Sequence, residues 1–259
     1  MSSSCRTGST STTGHAGSTC KCTCTCSEAT VDAARKATDA VTLESEDGQR
    51  LLHEAEARQD ILLDMFDFQQ HFSHCGPQSS ALLIAAFECG KACRAAGHCT
   101  FRHCKDVKEQ YHGFAMFSFQ ETQDVITHEV IQTRGTTLVD VNQILLSHKH
   151  QATAYFAEES SVDEFRQLAL EALRQDDSSS GVIVNFQRYL LGQIGKASTF
   201  GHHSPLCAYH AGTDRFLMLD TNVGKPKLWL KTEDLFKAMQ DVDMATRKSR
   251  GFIVMGGTL

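Results

Sequence analysis

The segment Gln78–Cys93, QSSALLIAAFECGKAC, constrains the fold more than any other part of the chain. Its apolar residues do not fall on one stripe, so a helix here has to be covered on most of its surface and sits inside the protein. Pro77 stands just before it, where a first helical turn tolerates a missing N–H. Cys75 is therefore expected at or next to the N-terminus of a buried helix.

The elements that cover such a helix are legible further on. Helical spacing or strand alternation predicts helices over 31–43, from Ser45 to Met65, and over 137–148, 161–175 and 232–240. Strands are predicted over 152–157, 182–187, 205–210, 215–219 and 251–255. Helices crowd the first half and strands the second, with short links between strands, which implies an α+β fold on a largely antiparallel sheet. The stretch 94–124 gives no clear pattern. Residues 1–30 contain no Val, Ile, Leu, Phe, Tyr or Trp. They are expected to form a disordered Ser/Thr/Gly/Cys-rich tail before a catalytic domain at 31–259.

Composition narrows the function. A net charge of −6 without basic blocks gives no footprint for nucleic acid or an anionic membrane. The longest apolar run, Ala81–Phe87, falls far short of the ~20 residues of a membrane-spanning helix. Eleven cysteines, an odd number in a long chain with no secretory start, argue against a disulfide framework. Thiol chemistry or metal binding in a reducing, cytoplasmic setting is expected instead.

Cys75 combines a helix N-terminus, which favours a thiolate, with Gly76, which allows close approach. Gln69, six residues upstream, is placed to fold back as an oxyanion donor beside the Cys75 backbone N–H. The second half supplies a base. GHHSPLCAYHAGTDRFLMLD reads as a hairpin whose facing residue numbers sum to about 425. That register brings His202 and Asp220 to one end, while alternation turns His203 to the other face, toward Asn222. A Cys at a helix start, a His opening one strand and an Asp ending the next is a papain-type arrangement.

QQHFSHCG, QR followed by GHHSP, FLMLD, LKTEDLFKAMQDVD and RGFIVM together resemble the phytochelatin synthase family, over core motifs at 43–93 and 161–256. The resemblance implies a papain-like cysteine peptidase fold and acyl transfer on glutathione. Carried over residue by residue, Cys75 is the nucleophile, His202 the general base and acid, Asp220 the orienting carboxylate and Gln69 the oxyanion donor. Gly76, Arg188 and Gly201 fall on the substrate side. The partners implied are glutathione and its metal thiolates, with a monomer or homodimer expected. No cofactor is needed for the acyl transfer, and Cd²⁺, Zn²⁺ or Cu⁺ would enter as activator or as part of the substrate. Hydrolysis to glycine and γ-Glu-Cys is the alternative outcome, and a metal-binding protein with a vestigial site is a second. The chain departs from the family at His203, where the motif has Phe, and at Pro77 and Val223.

Cys20, Cys22, Cys24 and Cys26 form a C-x-C-x-C-x-C run suited to a soft ion. Cys89, Cys93, Cys99 and Cys104, with His98 and His103, form a looser group in which Cys89 and Cys93 share a helical face at i, i+4 as a candidate ligand pair; small residues on a buried helix, followed by a loop, are the expectation there.

Overall fold

The computed structural model describes residues 39–97, 101–111, 115–175, 178–194 and 200–258. The tail at 1–30, with Cys20, Cys22, Cys24 and Cys26, lies outside them. The first half contains strand β1 (Val41–Thr42), helix α1 (Glu46–His53), strand β2 (Ala57–Arg58) and helices α2 (Asp60–Met65) and α3 (Cys75–Ala96). Helices α4 (Phe101–Gln110), α5 (Gln120–Val125), α6 (His128–Arg134) and α7 (Leu138–Ser147) follow. The second half runs β3 (His150–Phe156), α8 (Val162–Leu173), β4 (Gly181–Gln187), β5 (Gly201–His210), β6 (Arg215–Met218) and β7 (Leu228–Lys231). It closes with α9 (Thr232–Met239), β8 (Val242–Asp243), β9 (Lys248–Ser249) and β10 (Gly251–Thr258).

One sheet organises the molecule, in the order β1-β7-β6-β5-β4-β10-β3, with β2 added on β5 and every pair antiparallel. Alternation splits its side chains between two cores. Ile183, Cys207, Leu217, Trp229 and Ile253 pack under Leu83, Ile84 and Phe87 of α3 and Val141 and Ile144 of α7. Val184, Phe186, Leu206, Phe216 and Phe252 pack against Phe165 and Leu173 of α8 and Leu235 and Met239 of α9. The α+β expectation holds, and α3 is the buried helix anticipated, with every residue from Cys75 to Phe87 buried. It ends at Gly97, whose φ of 69° suits glycine at a helix C-terminus. Trp229, the only tryptophan, is fully buried and donates from Nε1 to the Gly48 carbonyl at 3.1 Å, tying α1 to the sheet.

Three expectations are corrected. The described end of the predicted 31–43 helix is strand, because Val41 and Thr42 pair with Trp229 and Leu228. The helix predicted from Ser45 to Met65 is broken by β2. Strand β4 pairs with β5 only as far as Leu206, so Ala208 and Tyr209 keep open backbone groups that Arg58 and Ala57 satisfy. The third concerns thiols. Cys89 and Cys104 form a disulfide between α3 and α4, Cα atoms 5.2 Å apart, and Cys93 is disulfide-bonded too. The two helices lie side by side, which brings Cys104 onto the face that carries Cys89. No helix among the described residues is long and apolar enough to cross a membrane.

Candidate active site

Cys75 is the first residue of α3, so its backbone N–H belongs to the first turn, which has no intrahelical acceptor. Ser73, two residues before it, takes a left-handed φ of 71° that turns the loop into the helix. The β5–β6 hairpin brings His202. Its facing numbers sum to 425 from His210↔Arg215 to Ala208↔Leu217, and to 424 at Leu206↔Met218, beyond a register shift at Cys207. Past that pair the register delivers Asp220 to His202, with Oδ1 2.8 Å from Nε2. Asp220 is fully buried, and its oxygens also accept from the Asn222 backbone N–H at 2.9 Å and Gln193 Nε2 at 3.1 Å. A carboxylate only accepts, so Nε2 of His202 carries the proton of this bond.

His203 does not meet Asn222. Alternation places it on the same sheet face as Cys207, beneath α3, where its Nδ1 lies 3.8 Å from Cys75 Sγ. Its Nε2 lies 2.8 Å from Nδ2 of Asn185, its cross-strand partner on β4. Asn185 Oδ1 in turn accepts from Arg250 Nη1 at 3.3 Å. Asn222 sits beside His202 instead. With its Oδ1 toward the donors it accepts from His202 Nε2 at 3.3 Å and from both Arg188 Nη atoms at 3.0 and 3.1 Å.

The electrostatics single out one thiol. Burial opposes ionisation of Cys75 most strongly, but His202 and then His203 outweigh it and hold the thiol well below its usual range. Burial likewise disfavours the charged form of His202, while the Asp220 carboxylate and the Cys75 thiolate raise it to about 9. Cys207, equally sheltered but without such partners, is pushed up to about 12 by burial. Two buried thiols on one scaffold thus differ because only one faces imidazoles.

These groups border a cavity of about 470 Å³, a size suited to a small peptide-like molecule. Gln69 lines it, donating from Nε2 to the His71 carbonyl at 3.0 Å and accepting from Thr221 Oγ1 at 3.0 Å. Arg188, Gly201, His202 and His203 line it as well. Gly76 does not stand open to a ligand. A Cβ there would come within 2.2 Å of Thr136 Oγ1 and 2.7 Å of Val141 Cγ2, so the close approach is by the loop before α7 and by α7 itself. At Gly201 a Cβ would fall 1.9 Å from Arg250 Nη1, so this glycine makes room for a guanidinium.

Sequence reasoning missed Asn185, Gln193, Asp243 and Arg250. Asp243 and Arg250 line the cavity, with Oδ2 and Nη1 3.8 Å apart. Arg250 opens the RGFIVM segment and is 5% exposed, a cation heading a buried strand, which was the available signal.

The model of the phytochelatin synthase family matches residues 32–252. Among curated proteins, glutathione gamma-glutamylcysteinyltransferase 1 of Lotus japonicus is 38% identical over 103 residues, 39% of this chain and 19% of the relative. Glutathione gamma-glutamylcysteinyltransferase 3 of the same plant is 31% identical over 128 residues, 49% of this chain and 26% of the relative. Glutathione gamma-glutamylcysteinyltransferase 2 of Arabidopsis thaliana is 28% identical over 128 residues, 49% and 27%. The matched stretches thus span from 19% to 27% of these relatives' lengths.

Proposed function

Since the chain belongs to the phytochelatin synthase family, with a papain-like α+β fold, we propose that it transfers the γ-glutamylcysteinyl group of glutathione through Cys75. The observation that carries this reading is a buried thiol at the first turn of a helix, with the His202–Asp220 pair and His203 lowering its pKa, at the wall of a cavity of tripeptide size.

The Cys75 thiolate attacks the carbonyl carbon of the Cys–Gly amide. The developing oxyanion is met by the Cys75 backbone N–H and by Gln69 Nε2, which has a second N–H besides the one given to His71. His202 gives its Nδ1 proton to the glycine nitrogen, the C–N bond breaks, and glycine leaves a thioester on Sγ. An acceptor nucleophile then attacks the thioester and passes its proton back to His202. When the acceptor is the amine of a second glutathione, alone or as a Cd²⁺ or Zn²⁺ thiolate, the product is a phytochelatin. Water gives γ-Glu-Cys.

The two imidazoles divide the work. Asn185 donates to His203 Nε2, which leaves Nδ1 as the ring donor facing the Cys75 sulfur. Arg250, Asn185 and His203 thereby form a line of donors ending on sulfur, which supports the charge without taking the proton. His202, with a carboxylate behind it, is the acid and base. Glutathione carries two carboxylates and one ammonium at neutral pH, and Arg188, Arg250 and Asp243 give the cavity the complementary charges.

Incubation of the full chain with glutathione, with and without Cd²⁺, beside Cys75→Ala and read by mass spectrometry, tests this. Glycine together with (γ-Glu-Cys)n-Gly oligomers, both lost in the variant, is expected. Glycine with γ-Glu-Cys alone would make the acceptor water and the protein a hydrolase. Absence of glycine release from the wild-type chain would overturn the reading.

A further inference from the structure

Away from the cavity, the densest group of metal-ligating atoms among the described residues is Cys89, Cys93 and Cys104, whose sulfurs all lie within 4.8 Å of one another. Cys89 and Cys93 share a face of α3 at i, i+4, and α4 brings Cys104 to it. Sγ of Cys93 stands 3.9 Å from that of Cys89 and 3.8 Å from that of Cys104. Thiolates that share a cation at ~2.3 Å lie ~3.8 Å apart in a tetrahedral site and ~4.0 Å apart in a trigonal one. Two edges of a thiolate triangle therefore already have the length a bound ion requires. The third is short only because Cys89 and Cys104 are bonded.

We propose that in the reduced protein Cys89, Cys93 and Cys104 form a thiolate site for a soft cation of the Zn²⁺, Cd²⁺ or Cu⁺ class, clamping α3 to α4 in place of the disulfide. Reduction comes first. Each disulfide takes up two electrons and two protons from two molecules of a small thiol, which leave as one oxidised thiol dimer. A divalent ion then displaces three protons from the three thiols and forms three metal–sulfur bonds. Cation and disulfide are mutually exclusive, since both use the Cys89 and Cys104 sulfurs.

The surroundings fit such a clamp. Cys89 is fully buried in a satellite core with Met65, Ala85 and Val107, which fixes one ligand. Cys93 and Cys104 are half-buried at its edge, which leaves a path from solvent for the ion. Soft sulfur donors without carboxylates favour Zn²⁺, Cd²⁺ or Cu⁺ over Mg²⁺ or Ca²⁺. The cluster lies fourteen residues along α3 from Cys75, roughly 21 Å at the helical rise, so it is separate from the acyl-transfer site. Lys108, also on α4, donates to the Phe66 carbonyl at 2.9 Å, at the head of the loop that carries Gln69. A clamp on α4 thereby bears on the segment leading to the nucleophile.

The test uses the full chain with Cys20, Cys22, Cys24 and Cys26 changed to Ser, so that the tail does not compete. After phosphine reduction and anaerobic desalting, Cd²⁺ alone is titrated in. Binding is followed by thiolate-to-metal charge-transfer absorbance in the ultraviolet and by native mass spectrometry. One Cd²⁺ per chain more than the oxidised protein takes up at its free Cys75 is expected, with at least tenfold weaker binding of that additional ion in both Cys93→Ser and Cys104→Ser. Far-UV circular dichroism of each variant before titration reports its folding, and the oxidised parent serves as a control that needs no substitution. Reduced protein that takes up no more Cd²⁺ than the oxidised protein, or folded variants that bind the additional ion as tightly as the parent, would overturn the proposal.

Discussion

Asp220→Asn probes the site most sharply, because it preserves shape and removes charge. In the wild-type protein Asp220 Oδ1 accepts from His202 Nε2 and the Asn222 backbone N–H, while Oδ2 accepts from Gln193 Nε2. An amide can keep its oxygen toward His202, but its NH₂ then faces the Gln193 donor and that bond is lost. The bond to His202 also ceases to be charge-assisted. Hydrogen bonds to charged groups contribute ~1.5–3 kcal/mol. At ~1.4 kcal/mol per pKa unit, the thiolate–imidazolium pair becomes about 10- to 150-fold less favourable against the neutral pair, and the thiol midpoint rises by about one to two units. Alkylation of Cys75 by iodoacetamide across pH, read on its peptide by mass spectrometry, measures that midpoint directly. Cys207, raised to about 12, serves as the unreactive internal control. Glycine release from glutathione is expected to fall by the same 10- to 150-fold. A variant whose alkylation midpoint and glycine release both stay at wild-type values would refute the assignment of Asp220 as support for a charged His202.

Three further substitutions separate neighbouring roles. His203→Phe, which installs the family residue, should raise the Cys75 alkylation midpoint by less than about one unit and retain measurable glycine release, whereas His202→Ala should abolish release. Equal loss in both would contradict the division between donor and base. Gly201→Ala pushes a methyl onto the Arg250 guanidinium, and a rise in KM for glutathione of about tenfold or more is expected from steady-state kinetics, with unchanged thermal unfolding. Gly76→Ala meets Thr136 and Val141 in a packed region, so overpacking should cost about 1–3 kcal/mol and appear as a lowered unfolding midpoint in urea.

The buried pair also sets a pH window for stability. Asp220 is held below the usual carboxylate range, against the opposing effect of burial, so its contribution is present at neutral pH and is lost as pH falls through its folded value. His202 is raised to about 9, so its contribution is full below the unfolded histidine value of ~6.5 and fades as pH rises through about 9. Together they favour the folded state most strongly between those limits.

Features written in contiguous residues were readable in advance. The apolar run marked α3, and the hairpin's turn residues and alternating strands fixed a register that brings His202 to Asp220. What escaped notice depends on pairings far apart in the chain. Asn185 becomes a partner of His203 because β4 lies beside β5, and of Arg250 because β10 pairs with β4 through Gly251↔Asn185. No local pattern announces an amide that bridges two strands. His203 was sent to the correct side of β5 by alternation but given the wrong neighbour, since the position of α3 over that face is a tertiary fact. The stretch 94–124 gave no pattern because α4 is short and rich in charge, and is docked through Cys104 and Val107. The paired cysteines themselves went unread for the same reason: α4 could not be placed beside α3.

Trp229 gives the fold a native reporter. It is the only indole in the chain, is fully buried among core side chains, and hydrogen-bonds to the Gly48 carbonyl at 3.1 Å. Its intrinsic fluorescence therefore reads one environment, with no background from other tryptophans. Trp229 is not among the residues that line the cavity. Its emission should stay at the short wavelength of a dry indole while thiols are alkylated or glutathione binds, and shift to the red when the sheet opens and water reaches it.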